Sequence, residues 1–441
     1  MKILQEYHRK YNGVDQLLDK NPAILDDFHD DLKRFGRHGG RESKFSSEQM
    51  LRMAIVKCVE LESLRDTVIR VAESDFLRNF TRIGMGEVPN FTFLGDALKC
   101  IKPETWLKIN EALLKYGKTE GMVSGESLRL DSTVSESNIH YPTDAHLLWD
   151  GYRVLSRLMT QIRESDRRLD CCNRFHVNKI KALFTFVSTH CSKKNKSTVR
   201  RVNKKMRTLI ERVEWIIEVG LNVKKHAWEK GCGSIAAFAF VEALERMLPL
   251  VAQVAAQSRR AWINGETVPA AERIFSIFEE HTELLKRGKA RQPVEFGHLV
   301  TLGQTAEKFI SYYAIEKHSR HDTAYKDEVL EDHKKKFGSY PDRFTADKNY
   351  HISIDDTKEW EKKIEVYSVG KKGRRNEEED DREHSKSFRA AQRFRAGCEG
   401  SISVLKRAFG LKRCLNRGFK SFASSVGCLV FCHNLVLMAL M

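Results

Sequence analysis

The sequence predicts a mixed α/β fold: a helical N-terminal domain, a sheet domain, and a large all-helical insertion that divides the sheet domain in two. Three observations point there. Apolar residues recur at helical spacing through residues 1–120. At about 126 the period becomes two, with Leu128, Leu130 and Ser132 alternating with Arg129, Asp131 and Thr133. Helical spacing returns from 145 to 290, and strand alternation resumes at 293. The domains are therefore expected at 1–122, at 123–145 with 291–441, and at the insertion 146–290.

In the first domain, Ser46 followed by Gln49 fits a capping box opening a helix over 48–61, whose buried stripe is Met50, Leu51, Ala54, Ile55 and Cys58. Further helices are expected at 64–73, 93–101 and 104–116. Arg65, Arg70, Arg78 and Arg82 lie among them, as in a DNA-binding module. In the insertion, Gly-Cys-Gly at 231–233 and Asn-Gly at 264–265 break the chain into bundled helices.

After 293 the alternation Val294, Phe296, His298, Val300 and Leu302 predicts a strand, and 309–315 a second, aromatic one. A helix at 325–337, a strand at 343–347, a short helix near 355–361 and a strand at 363–369 follow. Residues 374–384 read as a charged loop too polar to bury. A long helix begins at Ser385. The apolar run 426–441 carries His433 and Asn434 and reads as a buried terminal helix rather than a membrane span.

Lys and Arg number 76 against 60 Asp and Glu in 441 residues, a net charge of +16 that favours a phosphate-rich partner. The ten cysteines contain no CxxC, and the polar N-terminus does not resemble a signal peptide. A disulfide framework is therefore not expected, and the chain reads as cytosolic, acting where DNA is.

Against this basic background stand three acids. Asp131 and Asp347 are each expected to end a short buried strand, and Glu399 to lie mid-helix. Three carboxylates suit Mg²⁺, which prefers oxygen ligands and keeps waters. Two such ions about 4 Å apart activate an oxygen nucleophile and relieve charge on the leaving oxygen of a phosphodiester. Asp131 is expected to bridge the ions, with Asp347 and Glu399 each completing one shell.

The Glu399 helix has a stripe of Ala391, Phe394, Cys398, Ile402, Leu405 and Phe409 expected to face the sheet. Arg395 and Lys406 flank Glu399 on one face and could hold phosphates; a solvated Arg–Glu–Lys ladder is the plain alternative. Gly400 in the helix interior costs about 1 kcal/mol relative to Ala, which suggests a close approach to the backbone there.

These segments resemble DDE transposases of bacterial insertion sequences, within the ribonuclease H-like integrase superfamily, and among them the group labelled ISNCY. Leu130 to Asp144 is similar to the first-aspartate block, Arg287-Gly-Lys with 293–298 to the re-entry into the sheet, 346–350 to the second-aspartate block, and 399–413 to the glutamate block. The resemblance implies a ribonuclease H-like catalytic core with Asp131, Asp347 and Glu399 as a metal-binding triad. The cofactor would be two Mg²⁺ ions, for which Mn²⁺ can substitute. Arg395 and Lys406 match the pattern Tyr-x2-Arg-x3-Glu-x6-Lys, but Gln392 stands at the tyrosine position. Asn349 replaces a frequent glycine and tolerates the same turn.

The implied activity is cleavage at inverted terminal repeats and joining of 3′-OH ends to target DNA, by a homodimer or larger complex near the nucleoid. A nuclease without strand transfer and a non-catalytic DNA-binding regulator are the competing readings.

Residues 193–207 hold eight basic residues and no acid. Lys193, Lys194, Arg200, Arg201, Lys204 and Lys205 could track a DNA backbone, or form a plain solvated face. Trp149 could stack on a flipped base or fill a core. Glu136 is a possible auxiliary acid. Cys171, Cys172, His176, His190 and Cys191 lack the ligand spacing of a zinc site, and Cys428, Cys432 and His433 read as packing residues.

Overall fold

The computed structural model describes residues 2–33, 44–169, 173–286 and 293–441. Among the described residues the elements in chain order begin with the helices α1 (Lys2–Lys20), α2 (Ala23–Lys33), α3 (Ser47–Val59), α4 (Leu64–Glu73), α5 (Asp75–Phe80), α6 (Phe91–Cys100) and α7 (Pro103–Thr119). After β1 (Ser127–Ser137) come α8 (Asp144–Ser165), α9 (Val177–His190), α10 (Lys196–Lys230) and α11 (Ile235–Trp262). Then follow β2 (Glu283–Lys286), β3 (Val294–Thr305), β4 (Ile310–Ile315), α12 (Asp322–Phe337), β5 (Arg343–Ala346), α13 (Ile354–Glu361) and β6 (Val366–Val369). The chain closes with α14 (Glu377–His384), α15 (Lys386–Ala408), β7 (Arg413–Cys414) and α16 (Phe419–Ala439). Helices and a mixed sheet together make an α/β fold. Two compact units emerge, residues 1–138 with 297–441, and residues 139–296.

In the larger unit β1 is the central strand. It runs antiparallel to β3, from Leu128 opposite Thr305 to Glu136 opposite Gly297. On its other edge it pairs in parallel with β5, Leu130 opposite Ala346, and farther along with β7. β5 continues in parallel to β6, and β4 is antiparallel to β3. Strand residues alternate in direction, so Leu128, Leu130, Phe344, Ala346, Tyr367 and Val369 share one core with Tyr325, Val329 and Leu330 of α12 and Trp360 of α13. α15 packs across β1, β5 and β6.

The N-terminal helices share a core with α16 rather than standing alone. The expected Ser46–Gln49 capping box is present. α16 lies against α1, α3 and α7, and a Cβ on Gly427 would come within 2.6 Å of Trp106 Cβ. Asn434 is buried there because it has work: its side-chain amide donates to Asn110 Oδ1 (2.8 Å) and to the Ile310 carbonyl (2.9 Å), and its Oδ1 accepts from Ile310 N–H. By length and composition α16 could cross a membrane, but 72% of its most apolar stretch is buried against the rest of the protein.

In the smaller unit α8, α9, α10 and α11 enclose their own core, including Leu155, Met206, Ile210 and Leu248. Small residues set the helix approach, since a Cβ on Gly151 would lie 2.7 Å from Val251 and one on Gly220 2.8 Å from Leu248. Trp149 stacks on Phe184 at 5.9 Å, a packing role within this unit.

Several expectations need correction. Asp131 does not end its strand; β1 continues to Ser137 because β3 keeps pairing with it. Residues 377–384 are helical, not a loop. Asn376 and Glu379 form a capping box, and Glu379 and Glu383 are buried because Lys371 and Arg375 pair with them. The strand expected over 363–369 begins only at Val366. The insertion is not helical to its end: after Trp262 come a 3₁₀ turn at Ala270–Glu272 and the strand β2. Cys171, Cys172 and the Arg287-Gly-Lys segment lie outside the described residues.

Candidate active site

Strand alternation decides which way the two aspartates face. With Leu128 and Leu130 in the α12 core, Arg129 and Asp131 project to the opposite side, under α15. On β5 the same logic sends Phe344 and Ala346 to α12 and Thr345 and Asp347 to α15. The register pairs Leu130 with Ala346, so Asp131 and Asp347 stand one residue beyond the same rung of adjacent parallel strands. Neighbouring strands are about 4.8 Å apart.

Side-chain bonds confirm the side. The Gln392 amide on α15 donates to the Ser368 carbonyl (2.8 Å) and to Thr345 Oγ1 (3.3 Å), tying the helix to β5 and β6. Arg129 Nη1 donates to the Phe394 carbonyl (3.0 Å), and its guanidinium lies 4.8 Å from the Phe394 ring centre. Its Nε donates to Gln304 Oε1 (2.8 Å). Arg129 is 4% exposed, and burial lowers its pKa from the usual value.

Arg395 Nη1 lies 3.7 Å from Asp131 Oδ2, and Asp131 Oδ1 accepts the Ser132 N–H at 2.8 Å. Arg395 is thus drawn to the aspartate, so the simple surface ladder with Glu399 does not form. Gln392, Arg395 and Glu399 are spaced three and four apart, on one helical face. Between them Cys398 is buried, and its thiol is pushed up to about 12, first by desolvation and then by the charge of Asp131.

The three acids are not equivalent. Asp131 and Asp347 are half-buried and adjacent by register; Glu399 is exposed, on the helix that covers them. Among the described residues, the carboxylates of Asp347 and Glu399 have no hydrogen-bond donor or cationic partner. The three do not form a single-ion cluster; among the described residues only Cys58, Cys428 and Cys432 bring their ligand atoms within 4.8 Å of one another. A pair of divalent ions would demand less convergence of the three carboxylates than a single ion. An all-carboxylate donor set suits a hard divalent cation.

Lys406, two turns beyond Glu399, is half-buried. The close approach expected at Gly400 is instead at Gly397, where a Cβ would lie 2.3 Å from Arg129 Nη1; Gly400 faces open space. Glu136 pairs with Arg413 (3.0 Å). Two supporting roles escaped the sequence reading: Arg129 was read only as a strand residue, and Gln392 only as a departure at the tyrosine position. The signal for Arg129 was its position two residues before Asp131 on the same strand face.

In the smaller unit Lys193, Lys194, Arg200, Arg201 and Lys204 are exposed and Lys205 is half-buried, along the start of α10 and the turn before it. Arg201 and Lys205 lean over the Phe186 ring. Among the described residues none of the six has a carboxylate partner. By contrast, in the larger unit Arg70 pairs with Glu60 and Glu62, Arg82 with Asp15 and Asp19, and Arg78 donates to backbone carbonyls at Gly84 and Gly86. Arg65 lies over Phe91.

No curated protein and no solved structure matches the chain. Residues 357–439 match the family described as transposase DDE domain. The matched segment contains β6, α14, α15 with Glu399, β7 and α16, and leaves out Asp131 and Asp347. Over residues 357–439 the chain is similar to the transposase DDE domain family, which supports the DDE-transposase resemblance of its sequence.

Proposed function

We propose that this protein is a DNA transposase with a ribonuclease H-like core, which cleaves at inverted terminal repeats and joins the 3′-OH ends to target DNA. The observation that carries the reading is the register of β1 and β5. It sets Asp131 beside Asp347 on the sheet face covered by the helix that bears Glu399.

Asp131, Asp347 and Glu399 would hold two Mg²⁺ or Mn²⁺ ions, which when bound supply an activated oxygen nucleophile and neutralise the leaving oxygen. Arg129 and Gln392 fix α15 against the strands, so the distance from Glu399 to the aspartates is set by buried hydrogen bonds. Arg395 lies 3.7 Å from Asp131 and would be placed to donate to a phosphate oxygen of bound DNA. The basic face at the start of α10 supplies contacts to the DNA backbone. Two element ends must be held at once, so a homodimer or larger assembly is expected, working in the bacterial cytoplasm at the nucleoid.

The test uses purified protein, a labelled terminal-repeat duplex and a supercoiled target. Asp131→Asn, Asp347→Asn and Glu399→Gln should each lower cleavage by more than about 100-fold, the scale of losing an electrostatic contributor to the transition state, with DNA binding retained. Wild-type protein should form a covalent joint between element end and target. Cleavage without any joint would support a nuclease, and full activity in the three variants would reject the site.

A further inference from the structure

We propose that Cys58, Cys428 and Cys432 form a three-thiolate site for a soft, closed-shell metal ion, Cu(I), which staples α3 to α16. The three sulfurs come from helices far apart in sequence. Cys58 lies near the end of α3, and Cys428 and Cys432 lie four residues apart on one face of α16. Cys58 Sγ is 3.4 Å from Cys428 Sγ, and all three sulfurs lie within 4.8 Å of one another. A metal–sulfur bond of about 2.3 Å in a planar three-coordinate site requires sulfurs about 4.0 Å apart, so the pocket needs little adjustment.

The donor set selects the ion. Thiolates favour Cu(I), Zn²⁺ and iron–sulfur clusters, whereas carboxylates favour Mg²⁺. Among the described residues no histidine or carboxylate joins the three sulfurs. Nearby His433 is turned onto the Phe409 ring and toward Asn434 instead. Structural zinc is almost always four-coordinate, so a group of three with no fourth donor fits Cu(I) better. Cys58 and Cys432 are 6% and 0% exposed, which keeps competing water out. Cys428 is half-buried and the most exposed of the three. The three cysteines are free thiols, not a disulfide. Their surroundings are the apolar core shared by the N-terminal helices and α16, so a bound ion would tie the two ends of this unit together. The site is independent of the DNA-processing reading.

The experiment titrates reduced, full-length protein with Cu(I) under anaerobic conditions, against a chromophoric Cu(I) chelator, and in parallel with Zn²⁺. One Cu(I) per chain is expected, with a sulfur-to-copper charge-transfer band, a raised Tm, and three sulfur neighbours by X-ray absorption. Cys58→Ser, Cys428→Ser and Cys432→Ser should each weaken binding at least about 100-fold, while Cys100→Ser leaves it unchanged. The wild-type absorption spectrum stands even if a serine variant fails to fold. No stoichiometric uptake by the wild type, uptake indifferent to all three substitutions, a nitrogen or oxygen donor on the bound ion, or Zn²⁺ bound in preference to Cu(I) would each overturn the proposal.

Discussion

Arg129 and Gly397 make one contact between them, and it fixes how closely α15 can lie on β1. Adding a methyl at Gly397 would push into the Arg129 guanidinium, which is already committed to the Phe394 carbonyl and Gln304. Gly397→Ala should therefore cost about 1–3 kcal/mol through overpacking. At Gly400 the space is open, so Gly400→Ala should gain about 1 kcal/mol of helix stability. Urea unfolding of the two variants checks the pair; equal effects would contradict the packing described. Arg129→Met removes the guanidinium and leaves Gln304 Oε1 and the Phe394 carbonyl without this donor. It should cost roughly 1–3 kcal/mol, the penalty of a buried acceptor left unmade, and lower cleavage activity as α15 loosens. Unchanged stability and activity would show that Arg129 does not position the helix.

At the scale of elements, α12 and α10 make separate predictions. His333 on α12 is buried and stacked on Phe337, with ring centres 4.3 Å apart. Desolvation holds its pKa well below 6.5, at about 4. Below 6.5 the unfolded chain takes up a proton that the folded chain refuses until about pH 4. The unfolded state thus binds more protons in that window, and stability falls as pH drops through it, by up to roughly 3 kcal/mol. His333→Met should lose less stability between pH 7 and 4 than the wild type; equal losses measured by chemical denaturation would contradict this. On α10 and the turn before it, replacing Lys193, Lys194, Arg200, Arg201, Lys204 and Lys205 by Gln should weaken DNA binding. The slope of log K against log salt should become shallower by up to about 5 if every one of the six meets a phosphate. An unchanged slope would return this stretch to a plain solvated face.

Across the whole molecule, the sequence was most legible where periodicity and burial agree. The change to period two at β1, the return of alternation at β3 and the stripe of α15 all follow from apolar residues that recur on one side of their element. What stayed hidden depends on partners distant in the chain. Asp131 seemed to end a strand because the residues after it, Ser132 to Ser137, are mostly polar, yet β3 pairs along them as far as Glu136. The acidic run at 377–384 looked unburiable until Lys371 and Arg375 supplied charge partners. The register that sets Asp131 beside Asp347 has no local signature, since it joins strands separated by the entire insertion. The convergence of Cys58 with Cys428 and Cys432 is invisible in spacing for the same reason.

Anomalous scattering from crystals of the protein grown with terminal-repeat DNA and Mn²⁺ tests the site most directly. Two manganese peaks about 4 Å apart are expected, with Asp131 touching both and Asp347 and Glu399 each touching one. Ordered carboxylates at all three positions with no peak among them at saturating Mn²⁺ would contradict the shared site.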